Sequence, residues 1–356
     1  MPLMNKNTTI EATLLKAMLA IYILMAFVLA GLNFGYADQA PAHIAALIKA
    51  SWHFYENEMK TAFIVVSGFL TLRLASKSRR TTMRKNNLIG FACAALVIHI
   101  IGPYLLNYPD LYYFAMPLPW TNQPLQLLVP ESDFYLSFLK SPGISVLRTV
   151  LAIYISITAV VFIGTIIRGR RWQCSTLCLF SGFVSEVFAP VFPLIGKKKK
   201  AGPGLIKFFM ILRWFFFCVA LLFSGFWLLQ AAGLHLPGNL TLFTQFEIYK
   251  YLIFDLIAAL LLWVFFTGRG YCFYCPLGTV AGLLGRAAGQ RIVTNLTECI
   301  KCGKCNKACP MAIDIFSNAR EGKPVVNLNC VGCGHCVDIC PKETLAYVTG
   351  LNRGEQ

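Results

Sequence analysis

Eight of the 14 cysteines lie between Cys299 and Cys340, at spacings typical of metal ligands rather than of disulfide partners. The stretch TECIKCGKCNKACP contains the pattern C-x2-C-x2-C-x3-C-P, and LNCVGCGHCVDICP repeats it 31 residues later. The first run comprises Cys299, Cys302, Cys305 and Cys309, and the second comprises Cys330, Cys333, Cys336 and Cys340. A pair of zinc sites is the alternative, but structural zinc favours two separate C-x2-C pairs. The pattern therefore predicts two 4Fe-4S clusters.

The fourth cysteine of such a run, followed by proline, binds the cluster of the other run. Cluster 1 is therefore predicted to use Cys299, Cys302, Cys305 and Cys340, and cluster 2 to use Cys330, Cys333, Cys336 and Cys309. We expect His335, between two of these ligands, to neighbour cluster 2 or to be exposed rather than to bind iron. Such clusters transfer electrons, but their potentials span about −700 to +450 mV, so the ligands alone do not give the direction of flow.

Two further cysteine pairs follow Gly-Arg-rich ends of apolar stretches and lie 98 residues apart, which suggests an internal repeat. They are Cys174 and Cys178 in GRRWQCSTLCLF, and Cys272 and Cys275 in GRGYCFYCPLG. We expect the four thiolates to converge into a third site that holds an iron–sulfur cluster or a single tetrahedral metal. Flanking cations at Arg170, Arg171 and Arg269 would stabilise its negative charge. The alternatives are local turn elements or redox-active disulfides.

The elements that must position these cysteines are membrane helices. Hydrophobic residues make up 57% of the 356 residues and charged residues 13%, which excludes a soluble multidomain enzyme. Six apolar stretches are long enough to span a bilayer, which takes roughly 20 residues. They lie near 12–34, 55–75, 88–107, 144–167, 205–234 and 247–267. The stretch at 55–75 has the shortest uncharged centre and spans only if its helix begins upstream.

Loop charges predict the orientation. The loops 73–87 and 168–207 hold fourteen basic residues and one acid, Glu186, whereas segments 35–60, 108–143 and 235–247 hold three basic residues and seven acids. Basic loops stay in the cytoplasm, so both termini and the C-terminal cysteines are predicted to be cytoplasmic, in a bacterial inner membrane. The net charge of +16 then reflects topology rather than nucleic-acid binding, and Lys197–Lys200 is expected to lie on anionic headgroups.

The predicted fold class is an α-helical integral membrane protein with about six transmembrane helices and a C-terminal cytoplasmic α+β bacterial two-cluster 4Fe-4S ferredoxin domain. The membrane domain covers residues 1–289 and the ferredoxin domain 290–356. The apolar, proline-rich outer loop 108–143 is expected to lie over the helix ends. We interpret Cys93 and Cys218, inside spans, as packing residues. Asp255, Arg148 and Arg213 are candidates for function or for interhelical ion pairs.

From the fourth span to residue 349, the chain resembles the NapH-type membrane ferredoxins, a group that includes MauN-like, YccM-like and NosR-type proteins. These pair two membrane-edge C-x3-C-P motifs with a cytoplasmic two-cluster ferredoxin. Here Leu179 replaces the first proline, and two residues rather than three separate Cys272 from Cys275. The resemblance implies electron relay between the quinone pool and a redox partner.

The chain is thus expected to be an electron-transfer subunit of an oxidoreductase complex rather than a stand-alone enzyme, with membrane lipid, quinone or quinol and a redox protein as partners. The sequence contains no phosphate loop or dinucleotide fingerprint. Two alternatives stay open: an assembly or maturation factor that reduces metals or thiols, and a structural anchor for a soluble oxidoreductase.

Overall fold

The computed structural model describes residues 6–75, 80–107, 111, 114–115, 117–119, 144–196, 202–234, 240–295 and 299–351. The described helices are α1 (Lys6–Gly35), α2 (Ala42–Phe54), α3 (Lys60–Ala75), α4 (Thr82–Ala95), α5 (Ile144–Arg168), α6 (Arg171–Cys174), α7 (Ser181–Val187), α8 (Pro203–Ala231), α9 (Leu240–Lys250), α10 (Ala259–Phe265), α11 (Pro276–Ala287), α12 (Lys304–Ala308), α13 (Ile315–Arg320) and α14 (His335–Asp338). The strands are β1 (Arg291–Thr294) and β2 (Leu345–Val348). The Lys197–Lys200 run and most of the outer loop 108–143 lie outside the described residues.

Five helical stretches among the described residues are long and apolar enough to cross a membrane: Ile10–Gly35, Thr82–Leu105, Ile144–Arg168, Pro203–Ala231 and Gln245–Phe265. They coincide with five of the six predicted spans. Two of them contain π-helical segments, Leu96–Leu105 after α4 and Tyr251–Ala258 between α9 and α10. The predicted span at 55–75 is not among these five, because charged residues interrupt its apolar run.

That segment is nevertheless part of one long helix. The π-helical turn Tyr55–Met59 joins α2 to α3, so the helix continues from Ala42 to Ala75. Within it, Lys60 forms an ion pair with Glu56 one turn earlier, which lowers the cost of burying either charge.

The joined helix α2–α3 runs antiparallel to α1 along most of its length. Near one end of α1, Arg73 Nε lies 3.3 Å from Glu11 Oε1. Near the other end, the ring centroids of Phe34 and Trp52 are 5.6 Å apart. The helix therefore returns to the side of the molecule on which α1 begins.

The C-terminal segment, residues 290–351, is built on a two-stranded antiparallel sheet in which Arg291 of β1 pairs with Val348 of β2. Both cysteine runs lie between the strands, with the short helices α12 to α14. The predicted division at residues 289 and 290 stays a prediction, but β1 begins directly after it.

The C-terminal segment packs directly on the ends of the long helices. The backbone N–H of Arg84, near the start of α4, donates to Asp338 Oδ2 at 2.9 Å. The Tyr347 hydroxyl donates to the carbonyl of Arg168, the last residue of α5, at 3.2 Å. The loop after α10 joins in, because Thr267 Oγ1 donates to the Pro310 carbonyl at 3.3 Å. Three separate helix ends thus meet the C-terminal segment on one side.

Candidate iron–sulfur centres

The cysteines of the two runs line two separate cavities within the C-terminal segment. One cavity is lined by Cys309 of the first run and Cys330, Cys333 and Cys336 of the second. The other is lined by Cys299, Cys302 and Cys305 of the first run and Cys340 of the second. These are the groupings that the spacing predicts. The assignment of individual ligands stays a prediction, which this grouping supports.

The two cavities differ in their exposure. Around the first, Cys333 and Cys336 are buried, and the segment packs against α4. Around the second, Cys302 is exposed and Cys299 partly so. Cluster 2 would therefore lie against the membrane helices and cluster 1 toward the opposite, solvent-exposed side.

A pair of equivalent glycines shows how closely the residues around the cluster 2 cavity approach α4. Gly303 and Gly334 both precede a short helix with a left-handed backbone, φ 66° and 76°. A Cβ atom at Gly303 would meet nothing within 4 Å, whereas one at Gly334 would lie 2.6 Å from Met83 Cβ. Glycine at 334 is thus required both by the turn and by the contact with α4.

The thiol of Cys340 has the environment of a thiolate ligand. Burial alone would raise its pKa, but a hydrogen bond with Thr344 Oγ1 at 3.2 Å and backbone N–H groups lower the pKa below its ordinary value. Donors of this kind also tune the potential of a bound cluster.

The structure brings the two membrane-edge pairs together. Cys174 ends α6, Cys178 follows it, Cys272 lies in a short 3-10 turn, and Cys275 precedes α11 and accepts a hydrogen bond from the Gly278 N–H at 3.4 Å. Cys174, Cys272 and Cys275 belong to one packed core, and Cys178 packs against it. Burial and the neighbouring Cys272 and Cys174 side chains raise the pKa of Cys178 to about 11. As a free thiol it would be protonated, so a metal would have to displace the proton.

Buried arginines surround these thiols. Arg170 is 1% exposed and its Nε lies 3.2 Å from Cys174 Sγ, while Arg269 is 0% exposed and reaches Cys272. Arg213 of α8, also 1% exposed, is within electrostatic range of Cys272 and Cys275, and its Nε and Nη1 have no hydrogen-bond partner among the described residues. Unpaired buried charge is costly, so the site calls for negative charge in the thiolate cluster.

The predicted role of Arg171 beside the thiols stays a prediction, and the structure shows where else this side chain binds. Its Nε donates to Asn87 Oδ1 at 3.2 Å and its Nη1 lies 2.9 Å from Met83 Sδ, so this side chain joins α6 to α4. Arg213 is a further cation within electrostatic range of the thiols. Sequence reasoning treated Arg213 as a candidate ion-pair residue, because nothing in the sequence shows that α8 carries it to the cysteines.

Glu186 of α7 connects the membrane edge to the residues around the cavity assigned to cluster 2. It is fully buried, with Oε1 2.7 Å from Arg269 Nη2 and Oε2 2.9 Å from His335 Nε2. Asn87 Nδ2 also donates to Oε2 at 3.2 Å, and to the Cys333 carbonyl at 2.9 Å. Burial alone would raise the pKa of Glu186, but its contacts to His335 and Arg269 lower it below the ordinary value.

Sequence reasoning missed this role of Glu186, although one acid in a strongly basic loop was a usable signal. His335, expected to neighbour cluster 2 or to be exposed, is buried. Its ligand atom lies within 4.8 Å of those of Glu186 and Cys333.

Inside the spans, three earlier interpretations change. Cys93 and Cys218 are exposed on the helix surfaces rather than packed, because the surface of a spanning helix is itself apolar and tolerates a thiol. Asp255 is paired within its own helix, with Oδ2 3.0 Å from Lys250 Nζ. Arg148 Nε donates to the Ala231 carbonyl of α8 at 2.7 Å rather than to an acid.

Comparisons with known proteins agree with the cysteine pattern. Residues 291–341 match the family model of the 4Fe-4S dicluster domain. Over 86 residues the chain is 34% identical to the putative electron transport protein YccM of Escherichia coli (strain K12). That match covers 24% of this chain and 23% of the length of YccM. No solved structure matches the chain. The C-terminal segment is therefore a 4Fe-4S dicluster domain that binds two clusters, and the comparisons support the resemblance to YccM-like membrane ferredoxins.

Proposed function

We propose that this protein relays electrons between the quinone pool and a redox partner protein. One observation carries the proposal: the cavity assigned to cluster 2 lies against the membrane helices, and the cavity assigned to cluster 1 lies on the exposed side. Two clusters at different depths form a path from the bilayer to a soluble protein. The ligands are the two groups of four cysteines named above for cluster 1 and cluster 2.

The exposed side of cluster 1 suits an acidic partner. Lys301, Lys304 and Lys342 line its cavity and are exposed. Complementary charge steers electron-transfer partners together and makes their association sensitive to salt. We therefore propose a redox protein that presents acidic residues to this rim.

For the membrane-edge cysteines, we propose a third iron–sulfur cluster. Thiolates that share one tetrahedral metal, with bonds of about 2.3 Å, would lie about 3.8 Å apart. Among the described residues, three candidate ligand atoms lie within 4.8 Å of one another at Glu186, Cys333 and His335. No three of the four membrane-edge thiols are that close together. The buried Arg170, Arg213 and Arg269 supply the positive charge that an anionic cluster needs.

Iron analysis tests the third cluster. Two 4Fe-4S clusters account for about eight irons per chain, and a third would add about four. We expect Cys174→Ser and Cys272→Ser each to remove this excess, while Cys93→Ser, on an exposed helix surface, retains it. A fully loaded protein with about eight irons and no other metal would disprove the site.

For the membrane topology, we propose six spans, with both termini and the dicluster domain in the cytoplasm of a bacterial inner membrane. The return of α2–α3 alongside α1 supports the sixth span, and the loop charges support the orientation. A C-terminal alkaline phosphatase fusion should be inactive and a C-terminal fluorescent protein bright. The reverse pattern would refute the orientation.

Quinol addition to the purified, cluster-loaded protein tests the relay. Under anaerobic conditions, we expect one of two changes in the cluster spectrum. Either a short-chain quinol reduces the clusters, or an oxidised quinone added to the reduced protein oxidises them. Clusters that respond only to copper or disulfide substrates would indicate the maturation factor instead. Clusters that respond to no substrate, although dithionite reduces them, would indicate the structural anchor.

A further inference from the structure

A cavity of about 220 Å³ lies where the dicluster domain meets the ends of α4 and α5. It is separate from the cavities lined by cysteines. Residues of α4, α5, α6, the turn after α6 and β2 form its walls, and these include Asn86, Arg168, Arg171, Trp172, Thr176 and Tyr347. Among the described residues, the lining combines hydrogen-bond donors with aromatic rings and includes no acidic residue.

The walls are held in place by contacts with one another and with the neighbouring helices. The Arg168 guanidinium carbon lies 5.6 Å from the ring centroid of Trp172, a cation–π contact. Trp172 in turn lies against α5, where a Cβ at Gly164 would come within 2.1 Å of its Nε1. Gly164 thus makes room for the indole. Arg171 is fixed by its contacts to α4 described above.

The cavity adjoins the proposed electron path on two sides. Tyr347 lines both this cavity and the cavity of cluster 2. Arg171 and Trp172 share the short helix α6 with Cys174 of the membrane-edge site. A redox-active ring in the cavity would therefore be one side chain away from cluster 2.

The cavity also adjoins the apolar surface of a spanning helix. Ile163, Ile166 and Ile167 in the last turns of α5 are 58%, 41% and 46% exposed, beside Arg168. An isoprenoid tail could lie on this surface while its headgroup occupies the cavity. Arginine and tryptophan are typical of the membrane–water boundary, where such a headgroup would arrive.

We propose that this cavity binds the headgroup of a quinone or quinol. The inference rests on the proposed electron relay and gives it a location. Donors at Arg168 and Asn86 suit the oxygens of a quinone, and Trp172 and Tyr347 suit its ring. On oxidation, the quinol loses the protons of its two O–H bonds to water at the exposed side of the cavity. Its two electrons pass singly to two clusters, each of which is reduced by one electron.

Direct binding tests the site. The probe is a fluorescent alkyl-hydroxyquinoline N-oxide, a quinone mimic, titrated into the cluster-loaded full-length protein in nanodiscs. We expect Arg168→Gln to weaken binding about tenfold or more, the loss expected for a hydrogen bond from a charged donor. Asn86→Trp, at an exposed position, should abolish binding by filling the cavity. Arg286→Gln, an exposed arginine at the end of α11, removes the same charge outside the cavity and should leave affinity unchanged.

The outcomes separate this inference from the proposed function. Both cavity variants could bind the quinone mimic with unchanged affinity while quinol still reduces their clusters. This result would overturn the site but not the relay. Wild-type protein that neither binds the mimic nor reacts with quinol would overturn the relay itself. If Arg168→Gln lowers only the retention of phosphatidylglycerol, measured by native mass spectrometry, the cavity holds a lipid headgroup and the inference is wrong.

Discussion

Replacing Cys309 with serine should remove cluster 2, although Cys309 belongs to the first cysteine run, and replacing Cys340 should remove cluster 1. The reason is that each cavity takes three cysteines from one run and the fourth from the other. Each variant should lose about four of the eight irons of the dicluster domain. Iron and sulfide analysis measures the loss, and electron paramagnetic resonance of the reduced protein identifies the remaining cluster.

The two variants should differ in severity. Small metal-binding domains depend on the metal for folding, and the cavity assigned to cluster 2 lies at the contact with α4. Cys309→Ser should therefore loosen the docking of the domain on the helices and increase its proteolysis. Cys340→Ser should mainly affect the solvent-exposed side of the domain, around the cavity of cluster 1. Cys218→Ser, at an exposed thiol of α8, is the matched control and should change neither. If Cys309→Ser removed only cluster 1, which the other three cysteines of the first run are predicted to bind, the crossed ligation would be wrong.

Removing the Glu186 carboxylate should be the most destabilising change outside the cysteines. Glu186→Ala leaves the fully buried Arg269 guanidinium without its carboxylate, and breaking a buried ion pair in this way costs about 3–5 kcal/mol. Because Glu186 also binds His335 and Asn87, the loss should reach cluster 2. We expect a lower midpoint of thermal unfolding in detergent and faster release of iron from cluster 2.

Two further variants sharpen this test. Glu186→Gln keeps an oxygen acceptor for Arg269 and should fall between the wild type and Glu186→Ala. Glu321→Gln is the matched control, since Glu321 pairs with Lys323 at 2.8 Å on an exposed surface, where such pairs contribute little. Equal midpoints for Glu186→Ala and Glu321→Gln would show that the buried contact is not stabilising.

The sequence by itself determined the chemistry. Ligand spacing within a cysteine run is local, so it can be read without a fold, and it predicted the two clusters that the dicluster match confirms. Apolar length is local as well, and it predicted six spans, five of which coincide with membrane-length helices in the described part of the chain. The helix at 42–75 was harder to predict because its charges are accommodated by partners on its own helix and on α1, such as Glu11.

Only the tertiary structure decided how these parts are connected. Glu186 lies 83 residues from Arg269 and 149 residues from His335, and no local pattern indicates that the three meet. The same holds for Arg213 beside the membrane-edge thiols and for the cavity between α5 and Tyr347. Such contacts depend on how helix ends pack against a distant domain, and the packing is set by the whole arrangement of buried charge and volume rather than by neighbours in the sequence.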